Sequence, residues 1–148
     1  MSGRTSVTTE QSQERLKLIQ NKEHPNCYIC GSANQAGLRL TFRVCADGCV
    51  AAWFSCDPMF QGYAGFIHGG VISSLMDSAM ANCLFAQGRS ALTAELNVQF
   101  IQPVVTGRAA LVKAWIKDSS PPLHLMEAEI AQNCKVVARA TAKFMERE

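Results

Sequence analysis

A single carboxylate stands in the middle of a long stretch of apolar and small residues in this chain. Within residues 71–86, Asp77 is the only Asp, Glu, Lys, Arg or His. Burying a carboxylate is costly unless it is paired or solvated. Ser73, Ser74 and Ser78 lie near it at helical spacing and complete a narrow polar stripe. The stripe faces either water or a cleft, and in a cleft Asp77 could act as a nucleophile or a general base.

The tripeptide His68-Gly69-Gly70 comes directly before this stretch. Backbone N–H groups at the start of a helix have no partner within the helix, and they lie at the positive end of its dipole. Glycine lets a ligand oxygen approach such groups closely. Gly69 and Gly70 therefore either form an oxyanion hole or merely permit a tight turn into the helix.

The spacing of Gly69 and Asp77 limits how the two can cooperate. They are eight positions apart, which is about 12 Å along a helix axis. A reacting carbonyl needs its oxyanion donor and its attacking group each within about 3 Å. One helix cannot supply both, whereas two antiparallel helices across a two-fold axis can. If both groups are catalytic, we expect a dimer with sites shared between subunits.

The elements that position these residues follow from the residue pattern. Residues 1–9 predict a tail, residues 10–22 a short amphipathic helix and residues 70–86 a buried helix. Thr93 is expected on the polar face of its strand, away from the core. The order predicts an α+β fold in which a curved antiparallel sheet wraps around one long helix. Alternating residues predict strands over 38–44, 50–54, 92–100, 108–117, 123–131 and 135–145.

Composition excludes several classes of protein. The chain has 148 residues, which suits one domain, and its 48% hydrophobic content excludes disorder. No apolar stretch approaches the roughly 20 residues of a membrane helix. A net charge of +2 does not fit a dedicated nucleic-acid binder. The polar N-terminal sequence lacks the apolar core of a signal peptide, so we expect a cytoplasmic protein.

Seven cysteines, an odd number, are expected to be reduced thiols. Cys27 and Cys30, with Cys45 and Cys49 as a second half, could hold zinc, which needs four converging ligands. Cys45 and Cys49 straddle a predicted hairpin turn, and there is no second C-x-x-C pair. We therefore predict no metal site. His24 has no partner visible in the sequence.

Two segments, GFIHGGVISSLMDSAM and TAELNVQFIQPV, together with the strand order, resemble the hotdog-fold acyl-CoA thioesterases. The likeness is greatest to the PaaI-like and Arthrobacter-type 4-hydroxybenzoyl-CoA thioesterase branch of the 4HBT superfamily, and it covers residues 27 to 145. It implies a tail with a short helix (1–26), one hotdog domain (27–148), and a homodimer that pairs into a homotetramer. It also implies hydrolysis of an acyl-CoA to a carboxylic acid and coenzyme A without a cofactor.

The resemblance also implies roles for individual residues. Asp77 would attack the thioester or activate water, and Gly69 of the other subunit would donate its N–H to the thioester oxygen. His68 would orient that loop and assist at the thioester. Thr93 matches a Ser/Thr that positions water or the carboxylate.

The loop before His68 departs from the family pattern at one position. Relatives often place an amide six residues before this histidine, where this chain has Gly62, and the amide of Gln61 is seven before. A shift of one residue in an irregular loop would still bring Gln61 to the site. Further substrate contacts are expected from Gly70, Ser74 and Tyr63.

Two other functions remain open from the sequence. One is a non-catalytic module that binds or senses acyl-CoA, although binding alone needs no buried carboxylate. The other is a hotdog dehydratase acting on β-hydroxyacyl thioesters, which pairs a histidine with a carboxylate at a different spacing. Aromatic and medium-chain acyl groups both stay possible. Nothing in the spacing selects which cations would bind the coenzyme A phosphates among Arg89, Arg108, Lys135 and Arg139.

Overall fold

A long helix, α2 (Gly69–Ala86), packs against a six-stranded antiparallel sheet in the computed structural model, which describes residues 6–147. The strand order β1-β2-β4-β5-β6-β3 places the strand that follows α2 at the far edge of the sheet. This arrangement confirms the predicted α+β fold with a sheet around one helix. Along the chain the elements are α1 (Thr9–Glu23), β1 (Arg43–Val44), β2 (Val50–Ser55), a 3-10 turn (Pro58–Phe60), α2, β3 (Ala91–Phe100), β4 (Ala109–Ser120), β5 (Leu123–Gln132) and β6 (Lys135–Glu146).

Helix α2 lies at the centre of the hydrophobic core. From Leu75 onward almost all of its residues are buried, because the sheet covers one side and α1 covers another. An apolar helix surface on nearly all sides is what such a position requires. Large core side chains from the helix and the sheet pack together, among them Met76, Met80, Phe85, Met126 and Phe144.

Helix α1 confirms the predicted N-terminal helix within one residue at each end. It begins with a capping box in which Thr8 and Gln11 each accept from the other's backbone N–H. Leu16 is buried in the main core. The proposed division between residues 26 and 27 stays a prediction, and part of the predicted tail lies outside the described residues. Within residues 6–147, no helix has the length and apolar character needed to cross a membrane.

The strand predicted over residues 38–44 is mostly absent, and only Arg43–Val44 pairs with β2. The Leu38 N–H donates to the Tyr28 carbonyl and the Leu40 N–H to the Ile29 carbonyl. Arg39, between them, has a φ of 48°. These bonds hold the segment against the preceding loop, so it cannot form a ladder with β2.

The predicted alternation of β3 is wrong in its first residues because of a β-bulge between Thr93 and Glu95. Thr93 pairs with the buried Phe144, whereas Glu95 pairs with Lys143 on the outer face. A bulge adds one residue to a strand and so reverses which face the residues on either side of it occupy. Thr93 therefore points toward the helix, not away from the core as its alternation predicted.

The packing of α1 gives a stability prediction with a matched control in the same helix. Leu16 is 1% exposed and Leu18 is 72% exposed. We expect Leu16→Ala to lower the free energy of unfolding by about 2–5 kcal/mol, because it leaves a cavity in the core. Leu18→Ala should change it by less than about 0.5 kcal/mol. Urea denaturation measures both, and equal effects would mean that α1 is not part of the folded core.

Candidate active site

Asp77 lies on α2 at the point where β3 crosses the helix. The Thr93 hydroxyl donates to Asp77 Oδ1 at 2.6 Å. Burial raises the pKa of Asp77, and the hydrogen bond from Thr93 opposes part of that rise. Within residues 6–147, Oδ2 has no hydrogen-bonding or ionic partner. The carboxylate is thus held in one orientation with one oxygen free to react.

The polar stripe around Asp77 faces a cavity of about 320 Å³. Ser74, Asp77, Ser78 and Thr93 line this cavity together. The Ser78 hydroxyl is buried and has no hydrogen-bond partner in the described part of the chain. A buried polar group without a partner calls for a water or ligand beside it. Of the two interpretations of the stripe, the structure favours the cleft.

The start of α2 carries a free backbone donor. His68 is the N-cap residue, and its Nδ1 accepts from the Gly70 N–H at 2.8 Å. The Gly69 N–H has no acceptor among residues 6–147. A ring nitrogen that accepts leaves the proton on Nε2, so a neutral His68 can donate from there. Gly70 is therefore engaged with His68, and Gly69 is the glycine whose N–H can bind a ligand oxygen.

The loop before His68 forms a second cavity, of about 470 Å³, next to this donor. Its lining includes Tyr63, Phe66, His68 and Gly69, but not Gln61. The Gln61 side chain instead accepts from the Gly65 N–H at 3.1 Å and braces the loop. The Gln61 backbone pairs with Ile67, the residue before His68. Tyr63 thus lines the cavity at the helix start, whereas the Gln61 side chain is engaged within the loop.

The two half-sites do not meet within one chain. Gly69 is the first residue of α2, and Asp77 lies eight residues further along the same unbroken helix, about 12 Å along its axis. Each half-site lines its own cavity, and the two cavities share no lining residue. Within one chain, the Gly69 N–H and the Asp77 carboxylate are therefore too far apart to act on the same carbonyl, as the sequence spacing predicted.

Sequence reasoning missed two residues in the wall of the Asp77 cavity, His24 and Cys27. His24 caps the end of α1, and its ring nitrogen Nδ1 lies 3.5 Å from Cys30 Sγ. The regular spacing of His24, Cys27 and Cys30 was the signal that could have found them.

Arg89, one of the candidate cations for the coenzyme A phosphates, forms an ion pair within the chain. Arg89 contacts Glu146 at 2.6 Å, and the same carboxylate oxygen lies 2.8 Å from Nε2 of the buried His124. The other ring nitrogen of His124 lies 2.6 Å from the Ser119 hydroxyl. This network satisfies a buried histidine, and it removes Arg89 from the free cations.

The hotdog fold, a curved antiparallel sheet around one central helix, is the class of protein to which this architecture corresponds. The chain belongs to the thioesterase superfamily (4HBT), whose family model matches residues 64–138. That range contains the glycine-led helix start, Asp77 and Thr93. The resemblance seen in the sequence is thereby confirmed for the family.

Relatives and solved structures agree with this assignment. The acyl-coenzyme A thioesterase THEM4 of Bos taurus is 37% identical over 51 residues, which are 34% of this chain and 20% of the relative. The chain thus matches about a fifth of the length of its curated relatives. The E. coli PaaI protein of the phenylacetic acid degradation operon superposes with a TM-score of 0.79 at 18% identity, covering 97% of each chain. A Streptococcus mutans protein solved with acetyl-CoA gives a TM-score of 0.68 at 18% identity, over 73% of this chain and 88% of the other. These two similarities show the fold.

The hydrogen bond between Thr93 and Asp77 gives a prediction about pH dependence. The donor favours the ionised carboxylate, so Thr93→Val should raise the pKa of Asp77 further. If Asp77 acts in its ionised form, the acid limb of the kcat/KM profile for thioester cleavage should move to higher pH. Thr141→Val, on the outer face of β6, should leave the limb in place. A limb that stays fixed in Thr93→Val would contradict this role.

Proposed function

We propose that this chain hydrolyses acyl-CoA thioesters to a free carboxylic acid and coenzyme A. The observation that carries the proposal is Asp77: a half-buried carboxylate, fixed by Thr93 and turned to a cavity, with no cation paired to it within residues 6–147. Charge pairing would make such a group structural. An unpaired carboxylate with a raised pKa is suited to accept a proton or to attack a carbonyl carbon.

In this mechanism Asp77 acts on the thioester carbonyl in one of two ways. It either removes a proton from an attacking water or attacks directly, forming an anhydride that water then hydrolyses. In both, the carbonyl oxygen gains negative charge and coenzyme A leaves as the thiolate, which takes up the proton that Asp77 removed from water in the first route or that the hydrolysing water releases in the second. The substrate lies where the Ser78 hydroxyl lacks a partner. No metal or redox cofactor is needed for either route.

The negative charge on the carbonyl oxygen needs a donor that is already in place. We propose the Gly69 N–H for this role, with the Nε2–H of His68 beside it. Gly70 contributes indirectly, because its N–H holds the His68 ring. Tyr63 would contact the substrate from the loop, and Ser74, whose hydroxyl donates to the Gly70 carbonyl at 2.8 Å, steadies the first turns of the helix.

The site is proposed to form between two copies of the chain. Among residues 6–147, strand β3 is an edge of the sheet and pairs only with β6. Its side chains Leu92 and Phe100 are 58% and 55% exposed. An unpaired apolar edge of this length is a surface at which two strands join. Pairing there would bring the Gly69 of one copy toward the Asp77 of the other, and a tetramer and a cytoplasmic location stay predictions.

Related proteins give independent support for the substrate class. THEM4 carries the name of an acyl-coenzyme A thioesterase, and the Streptococcus mutans structure contains acetyl-CoA. For the phosphates of coenzyme A, the exposed Arg108, Lys135 and Arg139 remain after Arg89 is excluded.

Thiol release from a panel of acyl-CoAs, detected with DTNB, tests the activity. The panel runs over phenylacetyl, hydroxybenzoyl and short to long aliphatic thioesters. We expect turnover in the wild type and a loss of about 10²–10⁴ in kcat for Asp77→Asn, which keeps the shape and removes the base. Asp57→Asn, at the exposed cap of the 3-10 turn, is the matched control and should keep full activity. Tight binding without turnover in the wild type would identify a binding module. The absence of both turnover and binding would overturn acyl-CoA as the class of ligand.

Mixing two inactive variants tests whether the site is shared. Asp77→Asn and His68→Ala damage different half-sites. If each site takes one half from each subunit, mixed dimers contain one intact site. Co-expression in equal amounts should then restore about a quarter of wild-type activity, since half of the dimers are mixed. A site built within one chain predicts no recovery.

A further inference from the structure

We propose that His24, Cys27 and Cys30 bind one divalent metal ion of the zinc type in the wall of the Asp77 cavity. The His24 ring nitrogen and the two sulfur atoms all lie within 4.8 Å of one another. His24 Nδ1 is 3.5 Å from Cys30 Sγ. A tetrahedral zinc ion with Zn–S of about 2.3 Å and Zn–N of about 2.0 Å separates such atoms by roughly 3.5 Å. The separation of His24 Nδ1 and Cys30 Sγ therefore already matches that of two ligand atoms on one zinc ion.

The backbone around Cys27 is arranged for a thiolate. The Ile29 N–H donates to Cys27 Sγ at 3.4 Å, and the Gly31 N–H closes the turn onto the Cys27 carbonyl at 2.9 Å. A Cβ at Gly31 would lie 2.3 Å from the Cys27 nitrogen, so only glycine permits this turn. Backbone N–H groups that point at a sulfur favour its charged form, which is the form that binds metal.

The ligands are held in place by rigid elements. His24 ends α1, with its N–H on the Gln20 carbonyl at 2.8 Å and its ring edge-on to Phe85 at 4.9 Å between centroids. Behind Cys30, Gln20 donates to the buried Asn82 at 3.0 Å. Outer hydrogen bonds of this kind orient metal ligands and tune them.

Three protein ligands leave the fourth position of a tetrahedral ion open, as in zinc sites that keep an exchangeable ligand. His24 and Cys27 line the cavity that also contains Asp77 and Ser78. A fourth ligand of the ion would therefore enter from this cavity.

The cysteines 45 and 49 do not belong to this site. They converge separately with Asp47 at the β1–β2 turn. Asp47 is exposed there, and its carboxylate lies 3.9 Å from Lys113 Nζ. The cavity that His24 and Cys27 line does not include this second cluster. It therefore provides a matched control: two cysteines and a third donor, without the histidine, the buried amides or the cavity.

Titration of the metal-free full chain with Co²⁺ and then Zn²⁺ tests the proposal without any assay of hydrolysis. We expect one Co²⁺ per chain, with thiolate-to-cobalt charge-transfer absorption, strong d–d bands of tetrahedral cobalt, and displacement by one Zn²⁺. Cys27→Ser/Cys30→Ser should abolish the charge-transfer absorption, and His24→Ala should weaken Zn²⁺ binding at least tenfold. Cys45→Ser/Cys49→Ser should bind as the wild type does.

Three results would overturn the site. The first is a wild type that binds no stoichiometric Co²⁺ or Zn²⁺. The second is absorption lost in the Cys45→Ser/Cys49→Ser variant but kept in the Cys27→Ser/Cys30→Ser variant. The third is a Cys27–Cys30 disulfide in protein purified under reducing conditions. Should the Cys27→Ser/Cys30→Ser variant not fold by circular dichroism, His24→Ala and the number of thiolates in the wild-type cobalt spectrum decide. Because metal binding is measured directly, failure of this proposal is distinct from failure of thioester hydrolysis.

Discussion

Burying one carboxylate in an otherwise apolar helix costs free energy, and several features of this structure accommodate that charge. Asp77 interrupts the segment that must fill the centre of the sheet, and its partner is a hydroxyl, not a cation. A neutral partner leaves the charge only partly compensated, which the raised pKa of Asp77 reflects. The surrounding structure provides what that charge needs: a threonine turned inward, a cavity, and small residues on the exposed side of the helix. The partly compensated charge therefore carries a cost in local stability.

Much of the fold could be predicted because the local sequence pattern of most elements matches the environment in which each element packs. The long apolar helix, the N-terminal helix and the four C-terminal strands needed only periodicity and end signals. The lack of a strand over residues 38–42 could not be predicted, since the N–H groups of Leu38 and Leu40 donate to Tyr28 and Ile29 in the preceding loop. The prediction that Thr93 faces away from the core was also wrong. The bulge that turns it inward depends on the pairing with β6, and the alternation of residue types does not show it.

The candidate site likewise contains residues that one sequence segment predicts and residues whose positions depend on tertiary contacts. His68, Gly69 and Asp77 could be found from one segment, because a helix fixes their spacing. The hydrogen bond from the Gly70 N–H to the His68 ring and the one from the Gly65 N–H to the Gln61 side chain depend instead on side-chain rotamers, which the sequence does not show. The place of His24 in the cavity wall was missed because its ring packs on Phe85 only when α1 lies against α2, and the local spacing to Cys30 does not show this.

The bulge in β3 makes the pairing register of that strand matter more than the identity of most of its side chains. Side chains at most positions of β3 are exposed, so many replacements there alter only the surface. Regular pairing of the same residues with β6, without the bulge, would instead put Thr93 on the same face as Glu95 and rotate the threonine out of the molecule. Sequence change in β3 is therefore constrained more by its register with β6 than by the chemistry of its exposed positions.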